Sequence, residues 1–139
     1  MARIVALDIG GKRTGIAVTD PLQLIATGLT TVSTNTLCTF LQDYLRKEPV
    51  DVIVVGLPRN MDHSYSKSYD LIHKTVEKLS REINSVRWEW EDERFTSKMA
   101  LQSMKTAGAG RNKMKDKEAV DMVSAVIILQ SYMEKKQGL

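Results

Sequence analysis

Three acidic positions stand where an acid is costly or crowded. Asp8 ends the apolar run I-V-A-L-D, residues 4 to 8, and is followed at once by I-G-G-K-R-T-G. Glu91, Asp92 and Glu93 are consecutive in W-E-W-E-D-E-R-F-T-S, residues 88 to 97. Adjacent like charges repel unless a cation or solvent offsets them, and Arg94 does so only in part. Asp121 lies in E-A-V-D-M-V-S-A-V-I-I-L-Q-S-Y-M, which is apolar around most of a helix. A lone carboxylate there needs a partner or a metal. Ser124 and Ala125, three and four positions on, leave room beside it. Carboxylates converging from separate elements suit a hard cation, which keeps water and substrate phosphates as its other ligands. Two such ions can activate a water and stabilise the leaving oxygen of a phosphodiester. Plainer readings stand beside this one. Asp8 could bond turn amides, residues 91 to 93 could be a solvated strand end, and Asp121 could be an early-helix acid favoured by the dipole.

Other motifs carry less. A Walker A loop needs Lys and Ser or Thr directly after its second glycine; Gly10 to Gly15 has the gap, but Ile16 follows. The dinucleotide fingerprint also fails, on glycine spacing and on the missing helix. His63 and His73 lack a supporting Cys or His and read as surface polar residues. Trp88 and Trp90 could stack on bases, but on a strand face they read as packed under a helix. Cys38 is the one cysteine and reads as a packing residue, so no internal disulfide is possible and a reducing, cytoplasmic setting is expected.

These residues need elements to position them. At 139 residues the chain is expected to form one domain, residues 1 to 139. Arg3 to Asp8 and Thr14 to Thr19 read as strands joined by a G-G-K-R hairpin, and Gly28 to Ser33 as a third strand. Thr36 to Glu48 has helical spacing, with Leu37, Phe40, Leu41, Tyr44 and Leu45 on one face, and stops before Pro49. Val50 to Val55, ending in Gly56-Leu57-Pro58, reads as a buried parallel strand. A polar loop, Arg59 to Lys67, leads into an amphipathic helix through about Glu82. Val86 to Glu91 then reads as a strand, Ser97 to Thr106 as a helix, and Glu118 to Lys136 as a longer one. The stretch A-G-A-G-R-N-K-M-K-D-K between those helices reads as a glycine-broken basic connector. Strands first and then alternation predict one mixed sheet with helices on its faces. The net charge of +3 leans toward polyanionic partners without deciding anything, and no apolar run approaches the ~18 residues of a membrane span.

Four blocks in order make the chain resemble the YqgF-type family, the RuvX-like Holliday junction resolvases or pre-16S rRNA nucleases. They are D-I-G-G-K-R-T-G-I-A-V-T-D from residue 8, V-V-G-L-P-R-N-M-D at 54 to 62, D-E-R-F-T-S at 92 to 97 and V-D-M-V-S-A-V-I-I-L-Q-S-Y at 120 to 132. Two departures are visible. Asp62-His63 stands where the family commonly has Asp-Gly, which alters a turn, and Phe95 stands where many relatives carry leucine.

The resemblance implies an α/β, RNase H-like fold with a mixed five-stranded sheet flanked by helices. It also implies a nuclease site for Mg²⁺ or Mn²⁺, two ions in all, held by Asp8, Glu93 and Asp121, with Asp92 in reserve. Lys12, Arg13, Arg59, Arg94, Lys98, Arg111, Lys113, Lys115 and Lys117 would then ring the acids and hold phosphates, with binding that weakens steeply in salt. The substrates expected from the family are the end of a ribosomal RNA precursor, favoured, and branched DNA. Ribosomal particles are a possible partner setting, and no membrane is expected. Cutting two symmetric strands asks for a dimer, and monomer and homodimer stay open. An actin-like kinase or ATPase shares the opening motif but needs two such domains. A binding module without cleavage would not need all three acids.

Overall fold

A computed structural model describes residues 2–58, 69–93 and 113–136, without the side chains of Pro58, Glu93 and residues 113–117. The chain begins with β1 (Arg3–Ile9), β2 (Arg13–Thr19) and β3 (Ala26–Ser33). A 3-10 turn (Thr34–Thr36) leads into α1 (Leu37–Lys47), followed by β4 (Val50–Pro58), α2 (Tyr69–Glu82), β5 (Arg87–Glu93) and α3 (Lys113–Lys136). The sheet has five strands in the order β3-β2-β1-β4-β5. β2 pairs antiparallel with both β1 and β3, while β4 pairs parallel with both β1 and β5. The expected mixed sheet and its three-strand opening are therefore present.

Strand alternation sorts the apolar residues onto two faces. Val5, Leu7, Ile9, Ile16, Val18, Ile53 and Val55 pack against Leu37 and Leu41 of α1 and Ile72, Val76 and Leu79 of α2. Ile4, Ala6, Ala17, Val52 and Val54 pack against Ala125, Ile128 and Leu129 of α3. The residues are small where α3 crosses β1 to β3. Ala6 faces Ala17, and Ala17 faces Gly28, in adjacent strands. A methyl at Gly28 would come to 2.7 Å from Met122 Cγ, so the helix lies directly on this track. Cys38 packs on the α1–α2 core, as expected.

Several boundaries move. β1 runs one residue past Asp8, β3 starts at Ala26 and β5 reaches Glu93. The largest correction concerns α3, which starts at Lys113 and not at Glu118. Lys113, Lys115 and Lys117 thus stand on its opening turns and are not part of a connector. The expected helix from Ser97 to Thr106 lies outside the described residues. Among the described residues no helix is long and apolar enough to cross a membrane.

Candidate functional site

Asp8 sits near the C-terminal end of β1, half-buried, in the same alternation as Ile4 and Ala6 and therefore on the α3 face. Its cross-strand neighbour is Gly15 of β2. Gly15 has ordinary extended backbone, yet a Cβ built there would run into the carbonyl of Asp121 and lie 2.9 Å from the amide nitrogen of Met122. The backbone of α3 thus rests directly on β2 at this point. Asp8 and the backbone of Asp121 both adjoin Gly15, one across the strand pair and the other from the helix above it. The glycine that failed as part of a phosphate loop is the position that both aspartate backbones adjoin.

Asp121 is the ninth residue of α3, well past the first turn to which dipole stabilisation is confined, so the early-helix account of this acid fails. Its Oδ2 accepts a 3.0 Å hydrogen bond from Arg13 Nε. Burial raises the Asp121 carboxyl above its ordinary pKa; the Arg13 hydrogen bond and charge pull it back down, and the charge of Glu118 adds to the rise. The helix is tied down nearby, where Thr31 Oγ1 donates to the Glu118 carbonyl at 2.7 Å. Ser124 and Ala125 are fully buried, Ala125 in the core between α3 and the sheet.

At the other side of the sheet, β5 separates its acids. Trp88 packs on the α1–α2 core and Trp90 stacks on His73 of α2, whereas Glu89 and Glu91 bond residues of α3. Glu91 is only 4 % exposed and accepts from Ser131 Oγ at 2.5 Å and Lys135 Nζ at 3.2 Å. Tyr132 Oη donates to Glu89 Oε2 at 2.6 Å. Glu91 is therefore a fastening for the C-terminal half of α3. Asp92 is exposed, in the alternation of the tryptophans. Glu93 ends the strand in register with Pro58.

The remaining expectations sort as follows. Arg13 meets Asp121, and Lys12 is exposed in the β1–β2 turn. Arg59, Arg94, Lys98 and Arg111 lie outside the described residues, as do His63 and the side chains of Lys113 and Lys115. Two readings need correcting. Trp90 is 41 % exposed rather than packed under a helix, and His73 is no ordinary surface polar residue but lies between Tyr69 and Trp90 at ring distances of 4.2 and 4.6 Å. Among the described residues no three Asp, Glu, His or Cys side chains gather as a metal cluster. Asp8 and Asp121 still fit a hard divalent cation in donor chemistry. Both offer carboxylate oxygen, and Asp121 already holds a cationic group.

Comparison with known proteins bears on what such a pair is for. The family model described as "RuvX: Holliday junction resolvase" matches residues 2–135. The chain belongs to the RuvX family. A relative from Porphyromonas gingivalis, named "Putative pre-16S rRNA nuclease", is 52% identical over 134 residues, 96% of this chain and 97% of that one. A relative of the same name from Flavobacterium psychrophilum is 46% identical over 136 residues, covering 98% and 99%. Among solved structures, Thermus thermophilus RuvC in complex with a Holliday junction substrate matches with a TM-score of 0.57 and 15% identity, over 98% of this chain and 96% of that one. At that identity the likeness speaks for the fold, which is RNase H-like as the resemblance implied.

Proposed function

We propose that the protein is a divalent-metal-dependent nuclease that works in the cytoplasm on the end of precursor 16S rRNA, free or in ribosomal particles. Asp8, Glu93 and Asp121 would hold Mg²⁺ or Mn²⁺, two ions in all. The observation that carries this reading is the placement of Asp8 and Asp121, from opposite ends of the chain, on either side of Gly15. The names of the RuvX-family relatives give it its reaction and its favoured substrate. Bound ions would act as Lewis acids and supply a water of lowered pKa as nucleophile. The chain's own residues do the positioning. β1 fixes Asp8 in register and the contact at Gly15 sets the height of Asp121, while the choice of Glu93 over Asp92 as the third acid rests on the family motif. Lys12, Arg13, Arg59, Arg94, Lys98, Arg111, Lys113 and Lys115 are the candidate phosphate contacts; such contacts position a nucleic acid without reading its bases.

Branched DNA is the second reading, favoured by the description of the family and by the RuvC fold. One assay separates the two: wild type, Asp8→Asn and Asp121→Asn on a precursor rRNA end and on a four-way DNA junction, each with Mg²⁺ or Mn²⁺. Wild-type cleavage of the RNA, lost in both variants, is the expected result. Cleavage of the junction alone would replace the substrate, and undiminished cleavage by both variants would remove the nuclease assignment.

A further inference from the structure

Arg13 opens β2 and reaches Asp121 with a single 3.0 Å hydrogen bond from Nε. Both partners are partly open to solvent, Arg13 at 37 % and Asp121 at 24 % of the side chain, so the bond can break without disturbing the core. Each partner is also held in place without the other. The Arg13 carbonyl accepts from the Gly10 amide at 2.9 Å, and Arg13 is in register with Ser33 of β3. Asp121 is set by the close approach of α3 to Gly15. The pair is therefore not needed to locate either residue. What it supplies is charge. Asp121 is a partly buried carboxylate with Glu118 one turn back on its own helix and Asp8 on the neighbouring strand β1, and holding like charges at one place costs free energy. A guanidinium offsets that cost, and its planar set of donors is equally suited to a phosphate.

We propose that Arg13 is a resident counter-ion, holding Asp121 until a divalent cation is bound there and then passing to a phosphate of the substrate. The inference rests on the metal-dependent nuclease reading and adds an order of events to it: metal first, substrate grip second. A merely structural clamp makes the opposite prediction. Removing a clamp loosens the site and weakens metal binding, whereas removing a competing cation strengthens it.

The test is calorimetric titration of Mn²⁺, without nucleic acid, into wild type, Arg13→Gln, Arg13→Met and Arg13→Lys. Both neutral variants should bind Mn²⁺ about fivefold more tightly, the upper range for a partly exposed ion pair, and Arg13→Lys should stay close to wild type. Arg13→Met keeps the aliphatic stem, so loss of packing cannot mimic the result. Equal or weaker Mn²⁺ binding by both neutral variants overturns the exchange. A second readout is the salt dependence of binding to an oligonucleotide in Ca²⁺ and in EDTA. The slope of Arg13→Gln should be shallower than wild type by about one in Ca²⁺ and unchanged in EDTA; a difference of equal size in both media also overturns it. Wild type that binds no divalent cation defeats the nuclease reading itself, a result distinct from normal Mn²⁺ binding that the Arg13 substitutions leave unchanged.

Discussion

Gly15→Ala tests whether α3 is seated where the two aspartates require it. The backbone at Gly15 is extended, so alanine carries no conformational penalty; removing a strand glycine would by itself gain ~0.5–1 kcal/mol. The cost is steric. The new methyl overlaps the Asp121 carbonyl and approaches Met122 N to 2.9 Å, and both are backbone atoms of a packed helix that no rotamer change can move. Overpacking costs about 1–3 kcal/mol, occasionally more, and this contact belongs at the top of that range. A net loss of about 2–3 kcal/mol would lower Tm by roughly 10 °C for a chain of this size. The N-terminal half of α3 would shift by about 1 Å, and a displacement of that size at a reacting group can cost about 100-fold in kcat. Gly28→Ala is the control, because its methyl meets only the flexible side chain of Met122 and should cost less in Tm and almost nothing in activity. The assays are thermal denaturation and nuclease turnover well below Tm. If Gly15→Ala keeps both its Tm and its rate, the seating of Asp121 on β2 is refuted.

Tyr132 gives a pH signature. Burial and the hydrogen bond to Glu89 raise its phenol from 10.0 to about 12. The folded state thus holds this proton more tightly than the unfolded state, so the contribution is complete below pH 10 and fades between 10 and 12. Ultraviolet titration should find a tyrosine ionising near 12, and Tyr132→Phe should lose both that step and ~1.5–3 kcal/mol in denaturant melts. Glu91→Gln and Glu93→Gln should differ in kind. The first is expected to lower stability by ~1–3 kcal/mol and to slow cleavage without abolishing it, the second to abolish cleavage with little change in stability. EDTA should stop cleavage of either substrate, with Mg²⁺ or Mn²⁺ restoring it, as a gel assay would read.

Where meaning was local, the sequence disclosed it. The hairpin at G-G-K-R, the β-branched β4 and the apolar face of α1 follow from spacing alone, and Asp8 and Asp121 stood out because a carboxylate ended or interrupted an apolar run. Non-local contacts were hidden. Nothing in T-G-I-A announces that Gly15 must stay bare for a helix more than a hundred residues later. Glu91 looked as much like a metal ligand as Glu93 until Ser131 and Lys135 were found on it. Lys113 to Lys117 lack an apolar stripe, the only periodic signal for a helix start, so they read as connector. Trp90 misled because alternation gives a residue's face but not whether an edge strand leaves that face covered.

The fastenings of α3 make it a lever. Glu89 and Glu91 grip its far end through Tyr132, Ser131 and Lys135, and Asp121 rides ten residues, about 15 Å, from Ser131. On an arm of that length a tilt of about 4° displaces Asp121 by about 1 Å. Substitutions at Glu89 or Tyr132, neither of them a proposed ligand, should therefore tune turnover by adjusting the angle of one helix. A search for activity-modulating changes should begin there as readily as at the acids.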